Sequence, residues 1–303
     1  IDFLKKNISK ELVRYGYILE DDYDENADLQ KIYLNYVSDT QLELTIIPTE
    51  KCNFRCKYCY ENFPDTVMDT DVQDSIVMFI KKNIQRYSSV HISWFGGEPL
   101  LEVDIIEHLS ERIKKICAYY KKPYTASITT NGYLLDIDTF RKMLKCNIIY
   151  YQITIDGVKE IHDAQRPHEC DMVSTYDKII ENLLSIKENI KSKTFAIMIR
   201  SNFSKLNIQH INEYKRNMFK NFGDDKRFKF LIRPVMNWGG EKIDGFKDNI
   251  IGDTILNKVY NELINSEYKL NYVYDVFLDN AGSICSAGKI NYYIINTNGD
   301  IHK

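Results

Sequence analysis

Three cysteines in one short run are the residues of this sequence most able to do chemistry. Cys52, Cys56 and Cys59 have the spacing C-x3-C-x2-C, and no fourth cysteine lies near them. Structural zinc sites and ordinary iron–sulfur clusters take four protein ligands. A loop of three thiolates therefore predicts a metal centre with one position left open for a ligand that is not protein. Zinc with His91 as fourth ligand, free thiols and disulfides are the alternatives.

Charged residues lie between these cysteines. Arg55 and Lys57 place positive charge within the loop, which favours the ionised, metal-binding form of the thiols. Ordinary solvated surface is the alternative for both side chains.

A turn rich in glycine follows the second predicted strand. Gly96 and Gly97 let the backbone approach a ligand closely, and exposed carbonyls there can accept hydrogen bonds from an ammonium group. Glu98 and a proline complete this Gly-Gly-Glu-Pro run. An ordinary strand-to-helix turn is the alternative.

The third and fourth predicted strands also end in polar residues. Thr129, Thr130 and Asn131 offer hydroxyls and an amide that suit a ribose or a carboxylate, although Asn-Gly is also a common turn pair. Asp156 ends the next strand, and Arg166 follows it with a guanidinium that suits a carboxylate.

Two assignments in this region stay open. Asp156, His162 and Arg166 could form a network that only braces their loop. Arg200 and Asn202, at the end of the fifth predicted strand, could face either a cofactor or a substrate.

Strand-like and helix-like stretches alternate along the chain and would position these residues. The predicted strands are 42–47, 90–95, 124–130, 148–155, 194–202 and 228–234, and the predicted helices are 69–86, 105–120, 138–145, 174–188 and 208–222. Six strand–helix units in series predict an α/β fold with a parallel sheet, curved into a partial (β/α)6 barrel of the TIM type. The motifs then meet at the carboxyl ends of the strands, where such barrels carry their chemistry.

The flanking parts are predicted to be smaller than the core at 42–250. Residues 1–41 form an N-terminal extension with an amphipathic stretch at 3–15 and a short helix at 29–36. Residues 251–303 hold a linker helix at 253–264 and strand-like runs at 268–277 and 292–295.

Composition excludes several classes of partner. The 40 basic and 43 acidic residues give a net charge of −3, which argues against nucleic acid. The sequence contains no apolar run of transmembrane length and no visible secretory signal, so a membrane partner is not expected. Seven cysteines with one tight cluster suit a metal centre in the reducing cytoplasm better than a disulfide framework.

Taken together, the cysteine triplet and the strand-end motifs resemble those of the radical S-adenosylmethionine (radical SAM) superfamily. The resemblance implies a [4Fe–4S] cluster on Cys52, Cys56 and Cys59, and S-adenosylmethionine bound at its fourth iron. It implies reductive cleavage of that cofactor to a 5′-deoxyadenosyl radical, with a reductase, flavodoxin or ferredoxin as electron donor. The cofactor-binding residues that it implies are Tyr58, which would lie against the adenine, Gly96, Gly97, Glu98, Thr129, Thr130, Asn131, Asp156, Arg166 and Arg200.

The end of the chain resembles the opening of a SPASM domain, a carboxy-terminal extension that carries auxiliary iron–sulfur clusters. Cys285 begins the run C-x-A-G, and the next cysteine expected there is absent, so the chain is expected to be truncated within this region. The resemblance implies a peptide or protein substrate and a ribosomal-peptide maturase that forms a thioether or carbon–carbon crosslink. The alternatives are a sulfatase-maturing enzyme that forms formylglycine, and a non-catalytic iron–sulfur or zinc module. No residue is assigned as general base.

Overall fold

The computed structural model describes residues 24–37, 40–170, 173–237, 239, 241–252, 255 and 286–303. Strands and helices alternate along this part of the chain. The elements in chain order are α1 (Glu25–Val37), β1 (Gln41–Ile46), α2 (Thr70–Asn83), β2 (Ser89–Trp94), α3 (Val103–Tyr119), β3 (Tyr124–Thr130), α4 (Ile137–Lys145), β4 (Ile148–Thr154), α5 (Lys159–Gln165), α6 (Thr175–Asn189), β5 (Ala196–Phe203), α7 (Ile211–Phe222), β6 (Phe228–Pro234), α8 (Glu241–Asp244), β7 (Tyr292–Ile295) and β8 (Ile301–His302).

One sheet of eight strands forms the centre of this architecture. Its order is β6-β5-β4-β3-β2-β1-β7-β8, and the sheet is not closed. The pairs from β1 to β6 are all parallel, as helical crossovers between consecutive strands require. The prediction of an α/β partial barrel is therefore confirmed.

The sheet has one apolar face and one polar face, because side chains alternate along each strand. Residues such as Leu44, Ile92 and Ile197 are fully buried on the apolar face, where they form the core with the helices. The residues between them, such as His91, Ser127 and Gln152, are only partly buried. We call this second side the polar face of the sheet.

Helix ends are fixed by local capping. Asp69, Asp136 and Ser174 each accept a hydrogen bond from a backbone N–H in the first turn of α2, α4 and α6. These helices therefore begin where the capping residues lie. Within the described residues, no helix is both long and apolar enough to cross a lipid bilayer.

The structure adds two features to the predicted elements. The seven-residue helix α5 lies between β4 and α6, in a segment for which the sequence predicted no helix. The strand predicted at 292–295 is observed as β7, but it pairs with β1 and extends the central sheet. Predictions for 3–15, 268–277 and most of 253–264 lie outside the described residues.

Candidate functional site

All three cysteines of the triplet line one cavity at the carboxyl ends of the strands. The cavity has a volume of about 580 Å³, within the range of small-molecule sites. Its lining combines polar residues from the ends of β3, β4 and β5 with apolar residues from the cysteine loop and from the ends of β2 and β6. The polar residues comprise Thr129, Thr130, Asn131, Gln152, Thr154, Arg200 and Asn202, and the apolar residues include Phe54, Phe63, Phe95, Pro234, Val235 and Met236.

The segment after α5 supports the cysteine loop. The N–H of Arg55 donates to the carbonyl of Pro167 at 2.9 Å, and the N–H of Lys57 donates to that of Gln165 at 3.0 Å. Phe54 also pairs with His168 in an isolated antiparallel bridge. The triplet is thus held by backbone contacts from a segment more than a hundred residues away in sequence.

The side chain of Arg55 binds the backbone of the cysteine loop and the segment that supports it. Its guanidinium donates to the carbonyls of Cys52 (2.6 Å) and Phe54 (2.9 Å) and forms an ion pair with Glu169. Arg166 is the cation that lowers the pKa of Cys52. That Arg55 and Lys57 favour the ionised form of the thiols stays a prediction.

Gly96 and Gly97 pack against the chain that leads into the triplet. A β-carbon on Gly96 would lie 2.4 Å from the carbonyl oxygen of Thr49, and one on Gly97 would lie 2.1 Å from that of Lys51. Gly96 also has φ of +130°, a conformation that favours glycine. Both glycines line the cavity, but the close approach that requires them is to the cysteine segment.

Glu98 is fully buried and does not line the cavity. Its carboxylate accepts hydrogen bonds from the hydroxyl of Thr130 and the N–H of Asn131, both at 2.7 Å, and from the N–H of Leu100 at 3.0 Å. Burial raises the pKa of this carboxyl, and the three hydrogen bonds oppose that shift. Glu98 therefore joins the ends of β2 and β3.

Asn131 extends this connection to the cysteine loop. Its side-chain amide donates to the side-chain oxygen of Asn53 at 2.7 Å, and its own oxygen accepts from the N–H of Tyr133. The side-chain nitrogen (Nδ2) of Asn53 is buried and has no hydrogen-bond partner among the described residues. That orphaned donor lies one residue after Cys52.

A second buried network ties the loop to β4 and β5 through Tyr58. The phenol oxygen accepts from Arg166 at 2.8 Å and from Asn202 at 3.1 Å, and it donates to Asp156. Asp156 also accepts from the N–H of Asn202 at 2.8 Å and, like Glu98, does not line the cavity.

Burial controls the ionisation of this network. It raises the pKa of Asp156 and lowers that of His162 well below its ordinary value, and the positive charge of Arg166 lowers both. His162 is therefore neutral, and its Nδ1 accepts from the N–H of Asp156 at 3.1 Å. Asp156, His162 and Arg166 accordingly brace the loop, as one of the two open interpretations had it, although Arg166 also lines the cavity.

Arg200 presents a guanidinium to the cavity. Its Nε donates to the side chain of Asn202 at 2.9 Å, which orients the group. Burial lowers its pKa, while Tyr58 and Asp156 act in the opposite direction. Among the described residues, the other N–H groups of this guanidinium have no hydrogen-bond partner, and such a group is suited to a carboxylate.

The donor set fits an iron–sulfur cluster better than a single metal ion. Within the described residues, no group of three or more His, Cys, Asp or Glu side chains converges on one point as a single ion requires. His91 is unsuited as a zinc ligand, because its ring nitrogens contact the hydroxyls of Thr125 (2.8 Å) and Ser127 (3.0 Å). Burial raises the pKa of Cys52 to about 12, so metal binding at this thiol must displace a proton.

The structure thus brings together most of the residues predicted for the site. Those that line the cavity are Cys52, Cys56, Tyr58, Cys59, Gly96, Gly97, Thr129, Thr130, Asn131, Arg166 and Arg200. Glu98 and Asp156 lie behind its wall, and Cys285 lies outside the described residues. The sequence reasoning did not identify Asn53, Tyr60 or the β6 end at 234–236 as part of the site, although the end of a sixth parallel strand is itself the signal for the last of these.

Comparison with known proteins places this chain in an enzyme family. The family model described as "Radical SAM superfamily" matches residues 46–214, which is more than half of the chain. The match includes the cysteine loop and strands β2 to β5.

Two curated relatives show how far the similarity extends. A cysteine-type anaerobic sulfatase-maturating enzyme of Clostridium perfringens is 30% identical over 200 residues, which cover 63% of this chain and 50% of that protein. An Fe-coproporphyrin III synthase of Methanosarcina barkeri is 24% identical over 164 residues, which cover 54% of this chain and 37% of that protein. The chain therefore spans half or less of the length of these relatives.

Two solved structures share the fold. The structure of a histidine-tagged anSMEcpe with bound AdoMet has a TM-score of 0.65 and 22% identity, covering 86% of this chain and 73% of that one. SuiB of Streptococcus suis bound to precursor peptide SuiA has a TM-score of 0.60 and 17% identity, covering 99% of this chain and 71% of that one.

Proposed function

Because this chain belongs to the radical SAM superfamily, we propose that Cys52, Cys56 and Cys59 hold a [4Fe–4S] cluster and that the adjoining cavity binds S-adenosylmethionine. The observation that carries the proposal is that three thiols and the polar ends of β3 to β5 face one cavity. When bound, the cluster and S-adenosylmethionine together supply the hydrogen-abstracting chemistry with which this superfamily activates unreactive carbon.

The residues around the cavity then divide into contacts and supports. Carbonyls of Gly96 and Gly97 suit the cofactor's ammonium group, and the hydroxyl of Thr129 suits its ribose. The Thr130 hydroxyl donates to Glu98 and positions the end of β3 beside it. Arg200 offers free donors to a carboxylate. The ring of Tyr58 lines the cavity and is our candidate for the adenine contact.

Two other side chains position these contacts without meeting the cofactor. Glu98 fixes the β3 end, and Asp156 fixes both Tyr58 and the β5 end through hydrogen bonds. Phe95 and Met236 belong to the apolar part of the cavity lining, which limits the entry of water.

We propose further that the substrate is a peptide or protein. The 30% identity to a sulfatase-maturating enzyme and the shared fold with a protein bound to its precursor peptide support this. Formation of a thioether or carbon–carbon crosslink in a ribosomal peptide is our first candidate, with a reductase, flavodoxin or ferredoxin as electron donor. Formylglycine formation is the second candidate, since a relative is named a cysteine-type anaerobic sulfatase-maturating enzyme. We also propose Cys285 as a ligand of an auxiliary iron–sulfur cluster.

Anaerobic reconstitution tests the cofactor assignment. The protein should take up about four iron and four sulfide, and with a reductant it should convert S-adenosylmethionine to 5′-deoxyadenosine. Cys52→Ala should abolish both, whereas Cys117→Ala, a buried cysteine of α3, should leave both unchanged. One zinc ion and no sulfide would identify the non-catalytic module instead.

Mass spectrometry of a candidate peptide tests the substrate assignment. A crosslinked product retains the sulfur of its cysteine, whereas conversion of cysteine to formylglycine replaces sulfur with oxygen. An unmodified peptide in a preparation that forms 5′-deoxyadenosine would contradict the choice of that peptide but leave the cofactor assignment intact.

A further inference from the structure

A second cavity lies at the opposite end of the sheet from the cysteine loop. Its volume is about 860 Å³, and it is bounded by the start of β4, β5 and β6, the end of α6 and the turn before β6. We call it the basal groove. None of the residues in the cofactor cavity lines it.

The floor of the basal groove contains an exposed aromatic ring beside a recess. Tyr150 of β4 is 55% exposed, although tyrosine is usually more buried in a strand. It pairs with Ala196 of β5, whose side chain is a single methyl group, and Lys229 of β6 pairs with Met198, two residues further along β5. An extended apolar side chain could rest on this ring.

The walls of the groove are strongly basic in a chain whose net charge is −3. Six cationic residues and two acidic residues line it, namely Lys187, Lys191, Lys193, Lys226, Arg227, Lys229, Asp224 and Asp225. This local excess of four positive charges favours the binding of an anionic partner.

Part of this charge is used within the protein. Lys187 forms an ion pair with Asp224 at 2.6 Å, and Arg227 forms one with Asp225 at 2.6 Å. Lys191 donates to the carbonyl of Glu188 at 2.7 Å.

Three lysines remain available. The side chains of Lys193, Lys226 and Lys229 make no hydrogen bond or ion pair with any described residue. Lys193 lies in the loop before β5, and Lys226 and Lys229 lie three residues apart in the turn before β6 and in β6. Their arrangement around a recess matches several carboxylates along one extended chain better than a single small anion.

The basal groove and the cofactor cavity both border β4. Tyr150 in the groove and Gln152 in the cavity lie on the same face of β4. Two residues of a strand span about 7 Å, and the four from Tyr150 to Thr154 span about 13 Å. A peptide anchored in the groove could reach the cavity with about four extended residues.

We propose that the basal groove binds an acidic segment of a peptide. Its carboxylates pair with Lys193, Lys226 and Lys229, and an apolar side chain lies on Tyr150. The segment lies about four residues from the residue that enters the cofactor cavity. Only that last statement rests on the proposed function, because binding in the groove needs neither cofactor.

Fluorescence anisotropy with a labelled hexaglutamate peptide tests the groove at low ionic strength. The triple variant Lys193→Gln, Lys226→Gln and Lys229→Gln should bind about tenfold more weakly, since each exposed ion pair contributes a few-fold. The control Lys81→Gln, Lys82→Gln and Lys121→Gln makes the same change in net charge at exposed lysines elsewhere and should retain affinity within about twofold. Circular dichroism verifies that both variants fold.

Several results would overturn the proposal. Wild-type protein that does not bind the peptide, or two triple variants that lose affinity equally, would show that the groove has no role. Tighter binding of an oligouridylate by the wild-type protein would assign the groove to nucleic acid instead. Since the assay uses no cluster and no S-adenosylmethionine, its failure is distinct from absence of 5′-deoxyadenosine formation.

Discussion

Replacing Gly97 with alanine should separate the backbone around Gly97 from residues 49–51 and lower the free energy of unfolding. Replacing Gly252 with alanine should not. A β-carbon on Gly97 would lie 2.1 Å from the carbonyl oxygen of Lys51 and 2.5 Å from that of Glu50. Real β-carbons essentially never approach closer than 3.0 Å. The two backbone segments must therefore separate by about 0.9 Å, the difference between 3.0 and 2.1 Å.

That separation breaks the contacts between the segments. The N–H of Glu98 donates to the carbonyl of Lys51 at 2.8 Å, and the N–H of Gly97 donates to that of Thr49 at 3.3 Å. Both bonds would be stretched beyond hydrogen-bonding distance, at about 1 kcal/mol each. Strain from overpacking adds about 1–3 kcal/mol, so the free energy of unfolding should fall by about 3–5 kcal/mol.

Gly252 provides the matched control. A β-carbon there meets no atom of the described residues within 4 Å, and its φ is not positive. Gly252→Ala should change the free energy of unfolding by less than about 1 kcal/mol, and the sign should favour the folded state because alanine restricts the unfolded chain.

Urea unfolding followed by circular dichroism measures both variants, and iron uptake after anaerobic reconstitution reports the cysteine loop. Gly97→Ala should lose iron binding because Lys51 directly precedes Cys52. The close-approach argument would be refuted if Gly97→Ala unfolded within about 1 kcal/mol of wild type and bound the same amount of iron.

Three further predictions concern other buried contacts. Glu98→Gln should lower the free energy of unfolding in urea by about 2–4 kcal/mol. The side-chain NH2 group of glutamine would face the N–H of Asn131, from which the carboxylate accepts a hydrogen bond. A decrease below about 1 kcal/mol would contradict this. Tyr58→Phe should lower the free energy of unfolding by a similar amount, because the hydroxyl that donates to Asp156 and accepts from Arg166 and Asn202 is removed. Unchanged stability would contradict this. For Asp225, burial acts to raise the carboxyl pKa, but hydrogen bonds from Arg227 outweigh it and hold the pKa below its ordinary value. This depressed pKa contributes stability that is present above about pH 4 and is lost as the pH falls through the folded-state pKa. Below about pH 4, wild type should therefore lose more stability than Asp225→Asn. Parallel pH profiles of unfolding free energy would refute this prediction.

Much of the fold could be predicted because its signals are local. Apolar residues at alternate positions predict β1 and β2, and capping residues such as Asp69 and Asp136 fix where helices begin. The helix α5 escaped prediction because its seven residues include few apolar positions with helical spacing. The pairing of β7 with β1 joins segments nearly 250 residues apart, and no local pattern encodes such a contact.

The location of the site followed from the order of elements, but the roles of its residues did not. Polar motifs at the ends of successive parallel strands must meet at one edge of the sheet. Glu98 and Asp156 belong to those motifs and yet lie behind the cavity wall, fully buried. A motif gives the neighbourhood of a side chain, whereas packing decides which of its neighbours it contacts.

By itself, the sequence determined the α/β alternation, the cysteine triplet and the end of the sheet at which the triplet lies, because each depends on residue type and on order along the chain. Only the tertiary structure decided that Gly97 is needed for the approach of Lys51, that Arg55 pairs with Glu169, and that Lys193, Lys226 and Lys229 line one groove with Tyr150. These depend on contacts between residues distant in sequence, as for Tyr58 and Arg166, which are 108 positions apart. Such contacts are set by how whole elements pack, and that packing minimises the free energy of the entire chain at once.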